Sequence, residues 1–153
     1  MSDEFRMEIS IPTDNDGYIL CQCPTCGEFF KITPTDYEDD RIINIFCPGC
    51  GLASEDYLTD DVLELAQAMA TNYATDVLYD ELKKWENQFK GSFVSFKAGK
   101  KPDPVPENPI KAGIDSLIIA HFSCCSRSAK VKPILKITGC YCPFCGVKDF
   151  EVE

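Results

Sequence analysis

The chain contains a single histidine, a single tryptophan and no apolar run near the roughly 20 residues that a membrane-spanning helix requires. Its first residues, MSDEFRMEIS, lack the basic start and apolar segment of a secretory signal. No nucleophile-and-base pair, phosphate-binding loop or metal-plus-glutamate motif is present. These absences lead us to expect a cytoplasmic protein that is not an enzyme.

Cysteine, by contrast, is abundant, with 10 in 153 residues. In a cytosolic setting paired cysteines more often bind metal than form disulfides. The segments Cys23-Pro-Thr-Cys-Gly27 and Cys47-Pro-Gly-Cys-Gly51 each form a Cys-x-x-Cys turn, here called a knuckle, which brings two thiolates to one ion. The pattern predicts a closed site for structural zinc with the ligands Cys23, Cys26, Cys47 and Cys50.

A second zinc site is predicted near the end of the chain, where Cys142-Pro-Phe-Cys-Gly146 is a regular knuckle and His121-Phe-Ser-Cys-Cys125 is an irregular one. Aligned on the first site, His121 and Cys124 have the knuckle spacing, and Cys125 falls where glycine usually stands. The predicted ligands are His121, Cys124, Cys142 and Cys145, with Cys125 as a substitute. Two Zn²⁺ per chain are expected. Cys21 and Cys140, each two residues before a knuckle, are expected to pack beside the sites.

Hydrophobic periodicity predicts a small, metal-stabilised α+β fold. Strand-like stretches occur at 7–11, 18–20, 29–32, 42–46, 93–96, 117–120, 129–132 and 135–137, and a polar loop is expected at 33–40. One long helix is expected from Thr59, as N-cap, to Lys90. The predicted divisions are an N-terminal antiparallel zinc ribbon at 1–53, the helix at 54–90, a strand and proline-rich connector at 91–113, and a C-terminal zinc ribbon at 114–153.

Charge is unevenly distributed along the chain, whose net charge is −10. Residues 1–90 carry 6 basic and 19 acidic side chains, a net charge of −13, whereas residues 91–153 carry 9 and 6, a net charge of +3. No acidic residue lies between Ser116 and Lys148. A basic tip of this kind can meet a phosphate backbone. The candidate nucleic-acid-binding residues are Arg127, Lys130, Lys132 and Lys136.

The three regular knuckles, Cys23–Gly27, Cys47–Gly51 and Cys142–Gly146, resemble the zinc ribbon of transcription factor IIB. The order of ribbon, helix, connector and terminal ribbon is similar to that of small bacterial proteins that contain two such ribbons. The resemblance implies metal ligation by the six knuckle cysteines. It also implies a role in transcription, in docking or in structure.

Two functions from different classes follow from these patterns. The first is a non-catalytic zinc-binding protein that acts as a protein-interaction or adaptor module, with a protein partner or self-association through the helix at 59–90. The alternative is a nucleic-acid-binding or transcription-associated factor that uses the basic C-terminal ribbon. The acidic N-terminal half disfavours the alternative, because it repels nucleic acid.

Overall fold

The structure, a computed structural model, describes residues 6–91, 93, 96–110 and 116–153. It is a small α+β protein with antiparallel sheets and one long helix, as the sequence predicts. The strands are β1 (Ile19–Gln22), β2 (Phe29–Ile32), β3 (Ile45–Phe46), β4 (Ala53–Ser54), β5 (Ile118–Phe122), β6 (Arg127–Val131), β7 (Cys140–Tyr141) and β8 (Lys148–Asp149). The helices are α1 (Pro34–Tyr37), α2 (Asp60–Gln88) and α3 (Pro133–Thr138).

The two cysteine-bearing segments share one four-stranded antiparallel sheet. Hairpins β1–β2 and β5–β6 join through their inner strands, which gives the strand order β1-β2-β6-β5, with Lys31 opposite Lys130 at the junction. Hairpins β3–β4 and β7–β8 form separate two-stranded sheets. All of these strands belong to one compact unit, Ser10–Asp60 with Ile110–Glu153. The segments predicted as the N-terminal and C-terminal zinc ribbons thus share one sheet, because their inner strands bond to each other across the sequence.

The core covers one face of the four-stranded sheet. Side chains alternate between the faces of a strand, and Phe30, Ile32, Ala129 and Val131 point from the two inner strands into the core with no exposed surface. The ring of Tyr57 meets Phe30 edge to face, with 5.4 Å between the ring centroids. Burial of these apolar side chains is the main contribution of the sheet to stability.

The opposite face of the inner strands carries a charged cluster. Lys31 and Lys130 are both buried, and their Nζ atoms lie 3.0 and 2.7 Å from the same oxygen, Asp14 Oδ2. Asp16 Oδ2 lies 2.6 Å from Lys130 Nζ. Burial alone would raise the pKa of Asp14, but hydrogen bonds from Lys130, the Tyr18 backbone and Lys31 outweigh it and hold this pKa well below its ordinary value. Asp14 thus bridges two lysines that face each other across the sheet, and Asp16 supplies a second negative charge.

Helix α2 and the proline-rich connector belong to a second unit, which contains Asp61–Pro109 and the residues before Ser10. The helix runs over Asp60–Gln88, within two residues of the predicted bounds. Successive connector residues bond back along it, since Ala98 N lies 3.4 Å from Glu86 and Val105 N lies 2.7 Å from Asn72 Oδ1. The connector therefore runs antiparallel to the helix. In the part of the chain that the structure describes, no helix has the length and apolar character to cross a membrane.

Some local predictions differ from the structure. Residues 7–11 form no strand, and only the last two residues of the predicted 42–46 strand pair, as β3. Part of the predicted loop at 33–40 is α1, and the whole strand-like 135–137 stretch lies in α3. Each of these helices has a proline in its first turn, where the fixed φ and missing N–H are suited to a helix. The predicted 93–96 strand falls on residues 94 and 95, which lie outside the described residues.

Candidate metal centres

The first group of cysteines is the one that the sequence predicts. The sulfurs of Cys23, Cys26, Cys47 and Cys50 all lie within 4.8 Å of one another. The Sγ atoms of Cys26 and Cys47 are 3.5 Å apart, and those of Cys23 and Cys50 are 3.8 Å apart. Four sulfurs at these separations surround a point that one tetrahedral metal ion can occupy.

Backbone geometry explains why each knuckle gathers its two sulfurs. The N–H of the glycine after the second cysteine donates to the carbonyl of the first, at 2.9 Å for Gly27 to Cys23 and 2.8 Å for Gly51 to Cys47. Both glycines have positive φ, +76° and +73°, which side chains other than glycine rarely adopt. The N–H of Gly49 also points to the Cys47 sulfur at 3.3 Å, and such donors stabilise a thiolate.

The thiols of this group have different pKa values. Burial raises the pKa of Cys47 above its ordinary value despite backbone donors from Cys50 and Gly49. For Cys23 burial also acts to raise the pKa, but the backbone N–H groups of Cys26 and Thr25 prevail and lower it to about 7. A metal ion binds thiolates, so loading this group releases protons and metal affinity falls as the pH decreases.

The second group consists of Cys124, Cys125, Cys142 and Cys145, whose sulfurs also lie within 4.8 Å of one another. Cys125 Sγ and Cys142 Sγ are 3.6 Å apart. His121, the predicted fourth ligand, is not in the group, and Cys125 is present in its place. Of the two ligands that the sequence allowed at this position, the group contains the substitute, Cys125, and it contains Cys124, Cys142 and Cys145 as predicted.

The register of hairpin β5–β6 explains why Cys125, and not His121, lies in the group. In the three regular knuckles the N–H of the first cysteine donates to the residue five positions later, as Cys23 does to Glu28 and Cys142 does to Val147. In the irregular knuckle it is Phe122 that pairs with the residue five positions later, Arg127. Phe122 is also buried, like the first cysteine of each regular knuckle. Phe122 thus occupies the first-cysteine position, one residue after the position that the sequence alignment assigned.

A tight turn then brings two adjacent cysteines to one site. With Phe122 in the first position, Cys125 is the second cysteine of the knuckle, and Ser126 takes the glycine position with a φ of +56°. Among described residues other than glycine it alone has a positive φ. The turn replaces the extended backbone that would direct neighbouring side chains to opposite sides. Cys124, at the tip of this turn, supplies the sulfur that Phe122 does not.

His121 occupies the position that Gln22 holds in the first hairpin, immediately before the first-cysteine position. Its backbone N–H donates to the Glu153 carbonyl at 2.6 Å, as the N–H of Gln22 donates to the Tyr57 carbonyl at 3.0 Å. Its neighbour Phe122 points into the core, so the exposed His121 side chain lies on the other face of the strand. Strand alternation therefore directs the imidazole away from the cysteines.

Hairpins β3–β4 and β7–β8, here called the outer hairpins, contact each other reciprocally. Phe46 N donates to Pro143 O at 2.8 Å, and Tyr141 N donates to Pro48 O at 3.0 Å. The aromatic rings cross in the same way: a Cβ on Gly51 would come within 2.8 Å of the Tyr141 ring, and one on Gly146 within 3.0 Å of the Phe46 ring. These paired contacts relate the two groups by an approximate twofold arrangement, and they require glycine at both positions.

Tyr57 fixes the β3–β4 hairpin in place, a role that its sequence context did not reveal. Its hydroxyl donates to Ile45 O at 2.5 Å and lies 3.1 Å from Leu52 O, and it accepts from Ser54 N at 2.9 Å. Burial raises the pKa of this hydroxyl to about 12. Its position seven residues after the last cysteine of the first group is the one signal that could have found it, since Val152, equally placed in the second group, is also buried.

Three of the four predicted nucleic-acid-binding side chains pair with acidic side chains of the N-terminal segment, residues 14–39. Only Lys136 has a carbonyl for its partner, Ile119 O at 3.4 Å. Most of the positive charge of the predicted basic tip is thus paired with carboxylates within one unit of the molecule. The ion pairs are Arg127 with Asp36 at 2.5 Å and Asp39 at 3.0 Å, Lys130 with Asp14 and Asp16, and Lys132 with Glu28 at 3.1 Å.

Cys21 and Cys140 lie outside both groups and are buried in the core, as the packing interpretation predicts. Burial raises the pKa of Cys21 to about 12 and that of Cys140 to about 11. Such thiols stay protonated at neutral pH and behave as small apolar side chains.

No protein-family model, curated protein or solved structure matches this chain. The metal preference of the two cysteine groups must therefore be inferred from their donor atoms. Two sets of four sulfurs are suited to soft or borderline metals and not to magnesium or calcium, which prefer oxygen ligands. The two four-cysteine groups are compatible with two metal ions per chain.

Proposed function

We propose that this protein is a non-catalytic zinc-binding protein in which two structural zinc ions support a protein-interaction module. The observation that carries the proposal is the gathering of eight cysteine sulfurs into two closed groups of four. Zinc prefers this tetrahedral, all-thiolate environment, and a site filled by four protein ligands has no open position for a catalytic water.

Structural zinc also meets an energetic need of the outer hairpins. Strand pairs β3–β4 and β7–β8 are only two residues long, and isolated two-stranded hairpins are at best marginally stable. Each carries one knuckle, so a metal ion would link it to a hairpin of the four-stranded sheet. Structural zinc contributes on the order of 10–16 kcal/mol of apparent binding free energy in zinc-finger peptides.

Metal analysis and chelation test the structural part of this proposal. The purified chain should contain two zinc ions, and their removal with a strong chelator should reduce the strand signal in circular dichroism and expose both outer hairpins to protease. A magnesium-saturated sample is the control, since magnesium should not restore protection. Unchanged spectra and proteolysis after complete metal removal would contradict a structural role.

Apolar side chains on α2 support the interaction part. Leu78 is 65 % exposed and Trp85, which also meets Phe96 edge to face, is 51 % exposed. Leu82 lies between them at helical spacing, and Phe89 follows directly after the helix. A stripe of this kind on a helix of 29 residues is typical of surfaces that pair with a second helix. We therefore propose self-association through this stripe as the mode of interaction.

Sedimentation velocity over a range of protein concentrations tests self-association. The substitution Leu78→Lys should shift the chain toward the monomer, whereas Asn87→Lys, which adds the same charge at an exposed polar position of the same helix, should leave the distribution unchanged. A wild-type chain that stays monomeric at all concentrations would rule out self-association and leave the zinc proposal intact. We do not propose nucleic-acid binding, because three of its four candidate side chains already pair with carboxylates.

A further inference from the structure

The two four-cysteine groups differ in how far their sulfurs are shielded from solvent. In the first group Cys23 and Cys47 are buried, Cys50 is half-buried and Cys26 alone is exposed. In the second group only Cys142 is buried and Cys125 is half-buried, whereas Cys124 and Cys145 are both exposed. The second group therefore presents two solvent-exposed cysteine residues and the first group one.

This difference follows from the irregular knuckle. Each regular knuckle places its first cysteine in the core, where the backbone begins the turn. In the irregular knuckle Phe122 fills that buried position, at 1 % exposure, and the missing sulfur comes from Cys124 at the tip of the turn. The second group has thus exchanged a shielded ligand for an exposed one.

We propose that the second four-cysteine group is an oxidation site, at which a peroxide joins Cys124 and Cys145 in a disulfide and releases the metal while the first group retains its own. This inference rests on the proposed function, because it requires both groups to hold zinc. The two exposed sulfurs lie within 4.8 Å of each other, so small side-chain movements bring them to the bond length of about 2.05 Å.

The chemistry needs hydrogen peroxide, or another hydroperoxide, and no further reagent. One thiolate attacks the O–O bond and takes one oxygen to become a sulfenic acid, and hydroxide leaves. The second thiolate attacks the sulfenic sulfur, so the S–S bond forms, the S–O bond breaks and a second hydroxide leaves. Two protons from solvent convert the hydroxides to water. The sulfurs together lose two electrons, which reduce the peroxide.

Release of the metal follows from the loss of ligands. After the disulfide forms, only Cys125 and Cys142 remain as thiolates, and two ligands do not complete a tetrahedral zinc site. In the first group an oxidised Cys26 would have to be resolved by a buried or half-buried neighbour, so the same reaction there is slower. The two centres thus differ in the solvent exposure of their cysteines, and the second is oxidised first.

Stepwise oxidation of the full-length, zinc-loaded chain tests the proposal. Zinc content is measured first, then release after addition of hydrogen peroxide is followed with a chromogenic zinc chelator, and disulfides are mapped by mass spectrometry of unreduced peptides. One of the two zinc ions should leave several-fold faster than the other, and the fast phase should coincide with a Cys124–Cys145 disulfide. Reduction in the presence of zinc should restore the original content.

The variant Cys21→Ala is the matched control, because it removes a buried thiol that belongs to neither four-cysteine group. It should keep the fast phase and the same disulfide. Equal release rates for both ions in the wild-type chain, or a fast phase with a disulfide elsewhere, would overturn the oxidation site. A chain that contains no zinc before peroxide is added would instead refute the proposed function, so the two failures are distinguishable.

Discussion

The two halves of the unit that contains the four-stranded sheet, β1–β4 and β5–β8, have the same backbone arrangement but place their metal-binding sulfurs differently. In the first half both knuckles begin with a buried cysteine; in the second half one knuckle begins with buried Phe122 and takes its sulfur from Cys124. The similarity of the two halves extends beyond the knuckles, since Lys31 pairs with Lys130 and a short helix begins at Pro34 in one half and at Pro133 in the other. The comparison shows that the buried first position and the tight turn are the repeated features, and that a ligand is not required at that position.

The largest effect is expected from a buried ligand of the second half. The substitution Cys142→Ser should remove one zinc per chain and destabilise the β7–β8 hairpin, because serine is a far weaker ligand and its hydroxyl would be buried. Cys124→Ser, at the exposed tip of the turn, should weaken the same centre less. Metal content and thermal unfolding measure both effects. Equal losses from the two variants would mean that exposure does not distinguish the ligands.

The charged cluster that joins the halves gives the next largest effect. Asp14→Asn leaves Lys31 and Lys130 facing each other without their shared carboxylate, and breaking a buried ion pair costs about 3–5 kcal/mol of unfolding free energy. Denaturant unfolding of the zinc-loaded chain at pH 7 measures this cost. Asp16→Asn, at a more exposed carboxylate, is the control and should have a smaller effect.

The same cluster predicts a pH dependence. The pKa of Asp14 is lower in the folded than in the unfolded chain, so its contribution is complete above the unfolded value of about 3.9 and is lost as the pH falls below it. The difference in unfolding free energy between wild type and Asp14→Asn should therefore be constant from neutral pH to about pH 5 and shrink at lower pH. A difference that grows as the pH decreases would contradict the assignment.

Tyr57 allows a finer comparison, because Val152, which lies equally far after the last cysteine of the second group, has no hydroxyl. Tyr57→Phe removes the hydrogen bonds to Ile45 and Leu52 and should cost about 1–3 kcal/mol. Tyr37→Phe, at a more exposed tyrosine, is the control and should have little effect. A Tyr57→Phe chain as stable as wild type would show that burial of the ring alone suffices at this position.

The smallest effect is expected at the histidine. His121→Ala should leave two zinc ions per chain, because the imidazole lies on the other strand face from the cysteines, whereas Cys125→Ala should lose one. Metal content of the two variants provides the measurement. Loss of zinc from His121→Ala would restore the ligand set that the sequence first suggested.

Sequence patterns predicted the regular parts of the molecule well. The two Cys-x-x-Cys turns at Cys23 and Cys47 identified the first group because spacing, proline and glycine together define that turn. Helical periodicity placed α2 within two residues of its observed bounds. The sequence could not show that Phe122 takes a cysteine position, because spacing alone fits His121 and Cys124 equally well. Only the pairing of Phe122 with Arg127 decides the register.

The sequence by itself determined which residue types can bind metal, where the regular turns lie and that one long helix is present, because each of these depends on local geometry. The tertiary structure decided what depends on partners distant in the chain. Strands β2 and β6 pair across about one hundred residues of sequence, and this pairing brings the basic segment onto the acidic one and Asp14 between two lysines. Local patterns carry no information about such pairing, since it depends on which strand edges and charges meet when the chain folds.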